Sequence, residues 1–196
     1  MANMRPSPSI EDPGIPFAEP GGEERVRLLA IAREAIGARL GAGPRQASKP
    51  GPGEARVGAF VTLTIGGRLR GCIGRMESKE PVSKTIARMA EAAAFEDPRF
   101  RPLSASEFDK ISIEITLLGP RRQIQSSEAI ELGRHGVWMQ KGYSSAVFLP
   151  QVAVEQGWDR ATLLKELSLK AGLGPSAWQD ADTTLMVFEG YEFGES

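Results

Sequence analysis

The pair Gly66-Gly67, set between two strand-like runs, restricts this chain more than any other feature. Upstream, Val57-Gly58-Ala59-Phe60-Val61-Thr62-Leu63-Thr64-Ile65 is rich in β-branched and aromatic residues and alternates with period two. Downstream runs Arg68-Leu69-Arg70-Gly71-Cys72-Ile73-Gly74-Arg75. A type I′ turn needs positive φ at both central positions, which glycine adopts without strain, so the two runs are expected to form a β-hairpin. Counting outward from that turn puts Ile65 opposite Arg68, Leu63 opposite Arg70 and Val61 opposite Cys72. Arg70 and Cys72 then share a face with aliphatic side chains. A sealed guanidinium needs a partner, so this end of the hairpin is expected to open into a cleft. Arg70 would line it, with Cys72 close by and the Asp97–Phe100 turn as part of the wall. Glu114 and Asp97 are the carboxylates the sequence offers Arg70.

The rest of the chain is read outward from this hairpin. Five prolines (Pro6, Pro8, Pro13, Pro16 and Pro20) and no apolar period make residues 1–22 an expected flexible tail. From Glu23, the residues Leu29, Ala32, Ile36 and Leu40 form one helical stripe, with Arg25, Arg33 and Arg39 left to solvent, and Gly41 ends it. Residues 41–56 are rich in Gly and Pro and read as a long connection, either a flexible loop or a functional flap. Pro81 opens a second helix whose inner positions are Val82, Ile86, Met89, Ala90 and Ala93, and Asp97-Pro98 stops it. The run Ala92-Ala93-Ala94 allows that helix a close approach to whatever it packs on.

Ile111, Ile113, Ile115 and Leu117 mark the cleanest strand. A further hairpin turns at Lys141-Gly142-Tyr143-Ser144. A third helix has Asp159 at its N-cap, Leu163, Leu164, Leu167 and Ala171 inside, and Gly172 past its end. Thr183–Phe188 is a last strand. Strands in hairpin pairs separated by three helices predict an α+β fold with mostly antiparallel sheet, with residues 23–196 as one domain that has room for a minor lobe.

Composition narrows the function classes. A chain of 196 residues that is 41% hydrophobic and 25% charged fits a soluble globular protein. Its formal net charge of −1 argues against nucleic acid as a partner. No apolar run approaches the ~20 residues of a membrane helix, and no signal-peptide pattern is present. A single cysteine excludes an internal disulfide and fits a reducing cytoplasm. With one histidine beside it, a Cys/His zinc site is all but excluded; a carboxylate-bound metal stays open without a motif behind it, and no metal or cofactor is expected.

Two residues could carry covalent chemistry. Cys72 is either a packed thiol or a nucleophile whose thiolate Arg70 would favour over the ordinary pKa of about 8.5. His135, in Gly133-Arg134-His135-Gly136, is a turn residue or the one available base for a Cys/His pair. Gly71 and Gly74 leave room for a ligand near the backbone. In Phe95-Glu96-Asp97-Pro98-Arg99-Phe100, Asp97 bonds nearby amides, the phenylalanines plug the core, and Arg99 is the residue with a ligand role in reach.

The motifs Leu69-Arg70-Gly71-Cys72-Ile73-Gly74, Ala94–Phe100, Leu149-Pro150-Gln151-Val152-Ala153 and Lys170-Ala171-Gly172-Leu173, with His135-Gly136 and Glu192-Phe193, resemble the AMMECR-type domain family from about Arg25 to the end. The resemblance implies a two-lobed α+β fold with antiparallel sheets. Bacterial and archaeal members look like component A of the AmmeMemoRadiSam set, alongside a Memo-type protein and a radical-SAM protein, and the family has no established activity. Ser168 stands where the family often has cysteine, which sets aside a two-thiol mechanism.

The expected function is binding of a small anionic ligand or substrate at the Arg70/Cys72 hairpin. Arg70, Gly71, Gly74, Asp97 and Arg99 would bind it, and Cys72 and His135 are the catalytic candidates. The alternative is a protein–protein interaction module without catalysis, and nucleic-acid binding comes third.

Overall fold

A computed structural model of the chain describes residues 17–41 and 54–195. They form two compact units. Among the described residues the larger comprises 17–41, 54–119 and 190–195, and the smaller Pro120–Glu189. The expectations for residues 1–16 and 42–53 lie outside the described residues.

In the larger unit the elements are α1 (Gly22–Arg39), β1 (Gly58–Ile65), β2 (Arg68–Arg75), α2 (Val82–Phe95), α3 (Ala105–Phe108) and β3 (Ile111–Leu118). The end of β7 (Thr184–Gly194) completes its sheet, every pairing antiparallel, in the order β2-β1-β3-β7. One sheet face carries Ala59, Val61, Leu63, Ile113 and Ile115, which are buried with Leu28 and Ile36 of α1 and Ile86 and Ala90 of α2. Burial of this apolar set is what assembles the unit. All five expected inner positions of α2 are buried. In α1 the buried set is Leu28, Ile31, Ala32, Ala35, Ile36 and Gly37, while Leu29 and Leu40 are half-buried at its margin. Arg33 is not left to solvent: it pairs with Glu195 (Nε to Oε1, 2.7 Å) and donates to the carbonyl oxygens of Phe108 and Ile111. Phe17 stacks on Tyr191 with ring centroids 5.1 Å apart, so ordered packing begins upstream of α1.

The other face of this sheet is of opposite character. Side chains alternate across a strand, and the register puts Thr62 and Thr64 beside Cys72, Ser112 and Glu114 there.

The smaller unit holds β4 (Arg122–Ile124), β5 (His135–Lys141), β6 (Ser144–Phe148), α4 (Pro150–Glu155), α5 (Arg160–Lys170) and the first part of β7. Its core is Val137, Met139, Leu163, Leu164, Leu167 and Val187. The β5–β6 turn lies where Gly142 predicts it, at φ +57°. Five α-helices are present among the described residues rather than three. The additions, α3 and α4, are too short to show an apolar period. Asp159 caps α5, its Oδ1 accepting the Thr162 N–H at 2.7 Å. Replacing it with alanine is expected to lower the urea midpoint, since the Thr162 N–H then loses its cap.

Candidate functional site

The hairpin turns at Gly66 (φ +56°) and Gly67 (φ +74°) as expected, and Ile65 faces Arg68. Beyond Leu69 the expected register fails. A β-bulge adds Arg70 as an extra residue, so Leu63 faces Gly71, Thr62 faces Cys72 and Val61 faces Ile73. One added residue moves every later side chain to the opposite face. Cys72 therefore lies on the polar face, with its Sγ accepting the Thr62 hydroxyl proton at 3.3 Å. Gly71 goes to the face beneath α2.

Each glycine of the motif has a packing reason. A Cβ on Gly71 would lie 2.1 Å from the carbonyl oxygen of Ala93, and one on Gly74 would lie 2.3 Å from the Phe60 ring. The close approach made at Gly71 is that of α2, which the alanines at 92–94 allow.

Arg70 takes neither Glu114 nor Asp97 as partner. It forks onto Glu107 of α3, Nε to Oε1 at 2.9 Å and Nη2 to Oε2 at 3.1 Å. Such a paired geometry is among the stronger ion-pair arrangements, and the Arg70 side chain is only 14% exposed. Beside the Arg70 guanidinium, and with the N–H and hydroxyl of Ser104 also donating to it, the Glu107 carboxyl is pushed down to about 2. The third nitrogen, Arg70 Nη1, is buried and has no hydrogen-bond partner.

Asp97 follows the end of α2, with its side chain 2% exposed. Its Oδ2 accepts the Cys72 backbone N–H at 2.9 Å and pairs with Arg99 Nη2 at 2.7 Å; its Oδ1 accepts from the Arg99 N–H and Nε. Arg99 Nη2 also donates to the Cys72 carbonyl at 3.2 Å. Both backbone groups of Cys72 are thus satisfied by one ion pair. The Arg99 guanidinium foremost, then the two backbone N–H groups, hold the Asp97 carboxyl well below the usual carboxylate range. Arg70 and Arg99 both lie over the Phe100 ring, 6.0 and 5.5 Å from its centroid, a cation–π arrangement. Arg70, Glu107, Phe100, Asp97, Arg99 and Cys72 form one cluster along the outer side of β2. A concavity of about 410 Å³ begins one residue further on, lined by Ile73, Gly74, Arg75 and the α2 residues Arg88, Met89, Glu91 and Ala92. Neither Arg70 nor Cys72 lines it.

Glu107 and Thr62 are the members that sequence reasoning missed. Ser104-Ala105-Ser106-Glu107 carries the capping-box spacing, a signal that would have placed Glu107 at a helix start.

His135 belongs to the smaller unit. It is the buried first residue of β5 rather than a turn residue, and its Nδ1 accepts the Glu131 N–H at 3.1 Å. Cys72 and His135 belong to different units, so neither unit by itself contains a Cys/His pair. Ser168 is buried in α5 and bonds the Leu164 carbonyl at 2.9 Å. Among the described residues no three His, Cys, Asp or Glu side chains cluster as metal ligands, and no helix is long and apolar enough to cross a membrane.

An antiparallel α+β chain with a thiol strand pinned by an Asp–Arg pair defines the class. The chain belongs to the AMMECR1 family, whose model matches residues 29–193. Among curated relatives, Protein MK0488 of Methanopyrus kandleri is 40% identical over 184 residues, covering 88% of this chain and 89% of that protein. Protein NEQ441 of Nanoarchaeum equitans is 40% identical over 147 residues, covering 71% and 82%. The crystal structure of the uncharacterized protein PH0010 from Pyrococcus horikoshii superposes with a TM-score of 0.75 at 34% identity, covering 87% of this chain and 90% of that one.

Proposed function

We infer that this AMMECR1-family chain binds a small ligand through an anionic oxygen at the Arg70 cluster. The observation that carries the reading is Arg70 Nη1, a buried charged donor without an acceptor. Buried polar groups are almost always hydrogen-bonded, and leaving one unmet costs about 1–3 kcal/mol. A ligand oxygen would satisfy it. Glu107 already balances the Arg70 charge, so the cluster favours a singly charged carboxylate such as acetate over a multiply charged phosphate. Arg99, 54% exposed beside Phe100 and paired with Asp97, adds a second guanidinium nearer the solvent. Cys72 lies next to the site with its backbone held rigid, which suits a contact thiol. Binding is the function inferred here, and covalent chemistry at Cys72, with or without His135, is a further step.

The test is thermal unfolding with acetate, malonate or phosphate, in wild type and Arg70→Lys. A ligand at a hundredfold excess over its Kd adds about 2.7 kcal/mol, a rise of roughly 5–10 °C for a chain of this size. Such a rise in wild type that vanishes in Arg70→Lys supports the reading. Equal shifts in both proteins, or none with any of the three anions, overturn it.

A second reading draws on Leu69, 45% exposed at the hairpin beside the exposed Gly66, Gly67 and Arg68. An apolar tip of that kind would dock a protein, and the family resemblance nominates the Memo-type and radical-SAM companions in the cytoplasm. Leu69→Asp should then abolish co-purification with either companion while leaving the anion-induced shift intact.

A further inference from the structure

β2 ends the sheet of the larger unit, and among the described residues no strand pairs with its outer edge. In an antiparallel pair, successive residues alternate between bonding the neighbouring strand and turning their backbone groups away from it. Cys72 turns both groups outward, where Asp97 and Arg99 take them. The register runs unbroken from the Leu63–Gly71 pair to the Ala59–Arg75 pair. Gly74, two residues beyond Cys72, therefore turns its N–H and C=O outward as well. Among the described residues no side chain bonds them.

Gly74 lines the concavity of about 410 Å³, together with Ile73 and Arg75 of β2 and Met89 and Ala92 of α2. Its walls are mostly polar, with apolar contact confined to Ile73, Met89 and Ala92, close to an open strand edge. At the rim Arg88 pairs with Glu80 and Glu96 with Arg39, and Glu91 is itself engaged. Arg75 remains as the lining cation without a carboxylate partner among the described residues.

We propose that this groove takes an extended acidic peptide segment of a partner protein by strand addition, its backbone pairing with Gly74 and a carboxylate meeting Arg75. Main-chain bonds give such a complex its affinity and side-chain pockets its specificity. Arg75, without a carboxylate partner among the described residues, argues for the acidic residue. Ile73, Met89 and Ala92 argue for a small apolar residue beside it. The Asp97–Arg99 pair, already closed over Cys72, blocks the edge on that side and keeps the added strand short. Exposed strand edges are ordinarily blunted against chance pairing, and here one position is blunted while its neighbour two residues away is not.

The probe is a set of blocked pentapeptides alternating aspartate with valine or alanine, titrated by fluorescence anisotropy against the full chain. Saturable binding is expected, about tenfold weaker when the central amide is N-methylated, since that deletes one hydrogen-bond donor. Arg75→Gln should weaken it by a similar factor, and Ala92→Leu should fill the groove and abolish it, with melting curves showing both variants folded. Lysine-for-aspartate peptides should not bind. No binding by any aspartate peptide overturns the proposal. So does binding that ignores both N-methylation and Ala92→Leu and responds only to Arg75→Gln, since that is surface charge attraction.

Discussion

Asp97→Ala is expected to lower the stability of the protein by about 1–3 kcal/mol, the cost of leaving a buried donor unmet; the larger penalty of a stranded buried charge does not apply, because Arg99 is 54% exposed. The carboxylate accepts from the Cys72 N–H, the Arg99 N–H, and Nε and Nη2 of Arg99. Alanine leaves the first of these donors unmet at the edge of β2 and frees Arg99 from the Cys72 carbonyl. For a chain of this length the loss amounts to roughly 5 °C in melting temperature. The same residue sets a pH dependence. Asp97 and Glu107 both have folded-state pKa values depressed below their unfolded ones, Glu107 to about 2. Their stabilisation is therefore fully present above pH ~5 and is lost as pH falls through ~4 toward 2. Wild type should lose stability steeply between pH 4 and 2, and Asp97→Ala should show a shallower slope there. Urea titrations of both proteins at pH 7, 4 and 3 give the comparison. Parallel slopes would show that Asp97 does not carry the ionic link between the end of α2 and β2.

The sheet-forming runs and the α2 stripe were legible because each repeats a period long enough to count. The hairpin turn was legible because two adjacent glycines satisfy one turn type. The bulge was not, since nothing in the residue types distinguishes a strand with one added residue from one without. Yet the uninterrupted count produced a conflict of its own, placing the Arg70 charge opposite Leu63 in an aliphatic face. Admitting one extra residue removes it: Gly71 goes beneath α2, Cys72 joins Thr62, and Arg70 is left at the bulge. A charge stranded among aliphatics was thus evidence about register rather than about a cleft. Glu107 was missed for another reason. Its helix has four residues, too few for any period, and only the Ser104 spacing marks it. β4, at three residues, offers no pattern at all. Where the partner of a side chain lies 37 positions away, as Glu107 does from Arg70, tertiary packing decides it.

Gly71→Ala is expected to be the most damaging single methyl that can be added to the hairpin. The new Cβ would lie 2.1 Å from the Ala93 carbonyl oxygen and 3.1 Å from its carbon. Ordinary contact needs over 3 Å, so α2 would have to retreat from β2 by about 1 Å. A flexible side chain could rotate aside, but this contact is with the backbone of a helix whose residues Ile86, Met89, Ala90 and Ala93 are all buried. Overpacking costs typically 1–3 kcal/mol. With no rotamer to give way, this substitution should reach about 3 kcal/mol or more. Gly67→Ala is the control. It has φ +74° and nothing within 4 Å of the added methyl, so the cost is conformational alone, about 1–2 kcal/mol. Urea midpoints separate the two. If Gly71→Ala proved no worse than Gly67→Ala, the helix would not sit on this strand, and Gly71 would have to be explained by something other than the close approach of α2.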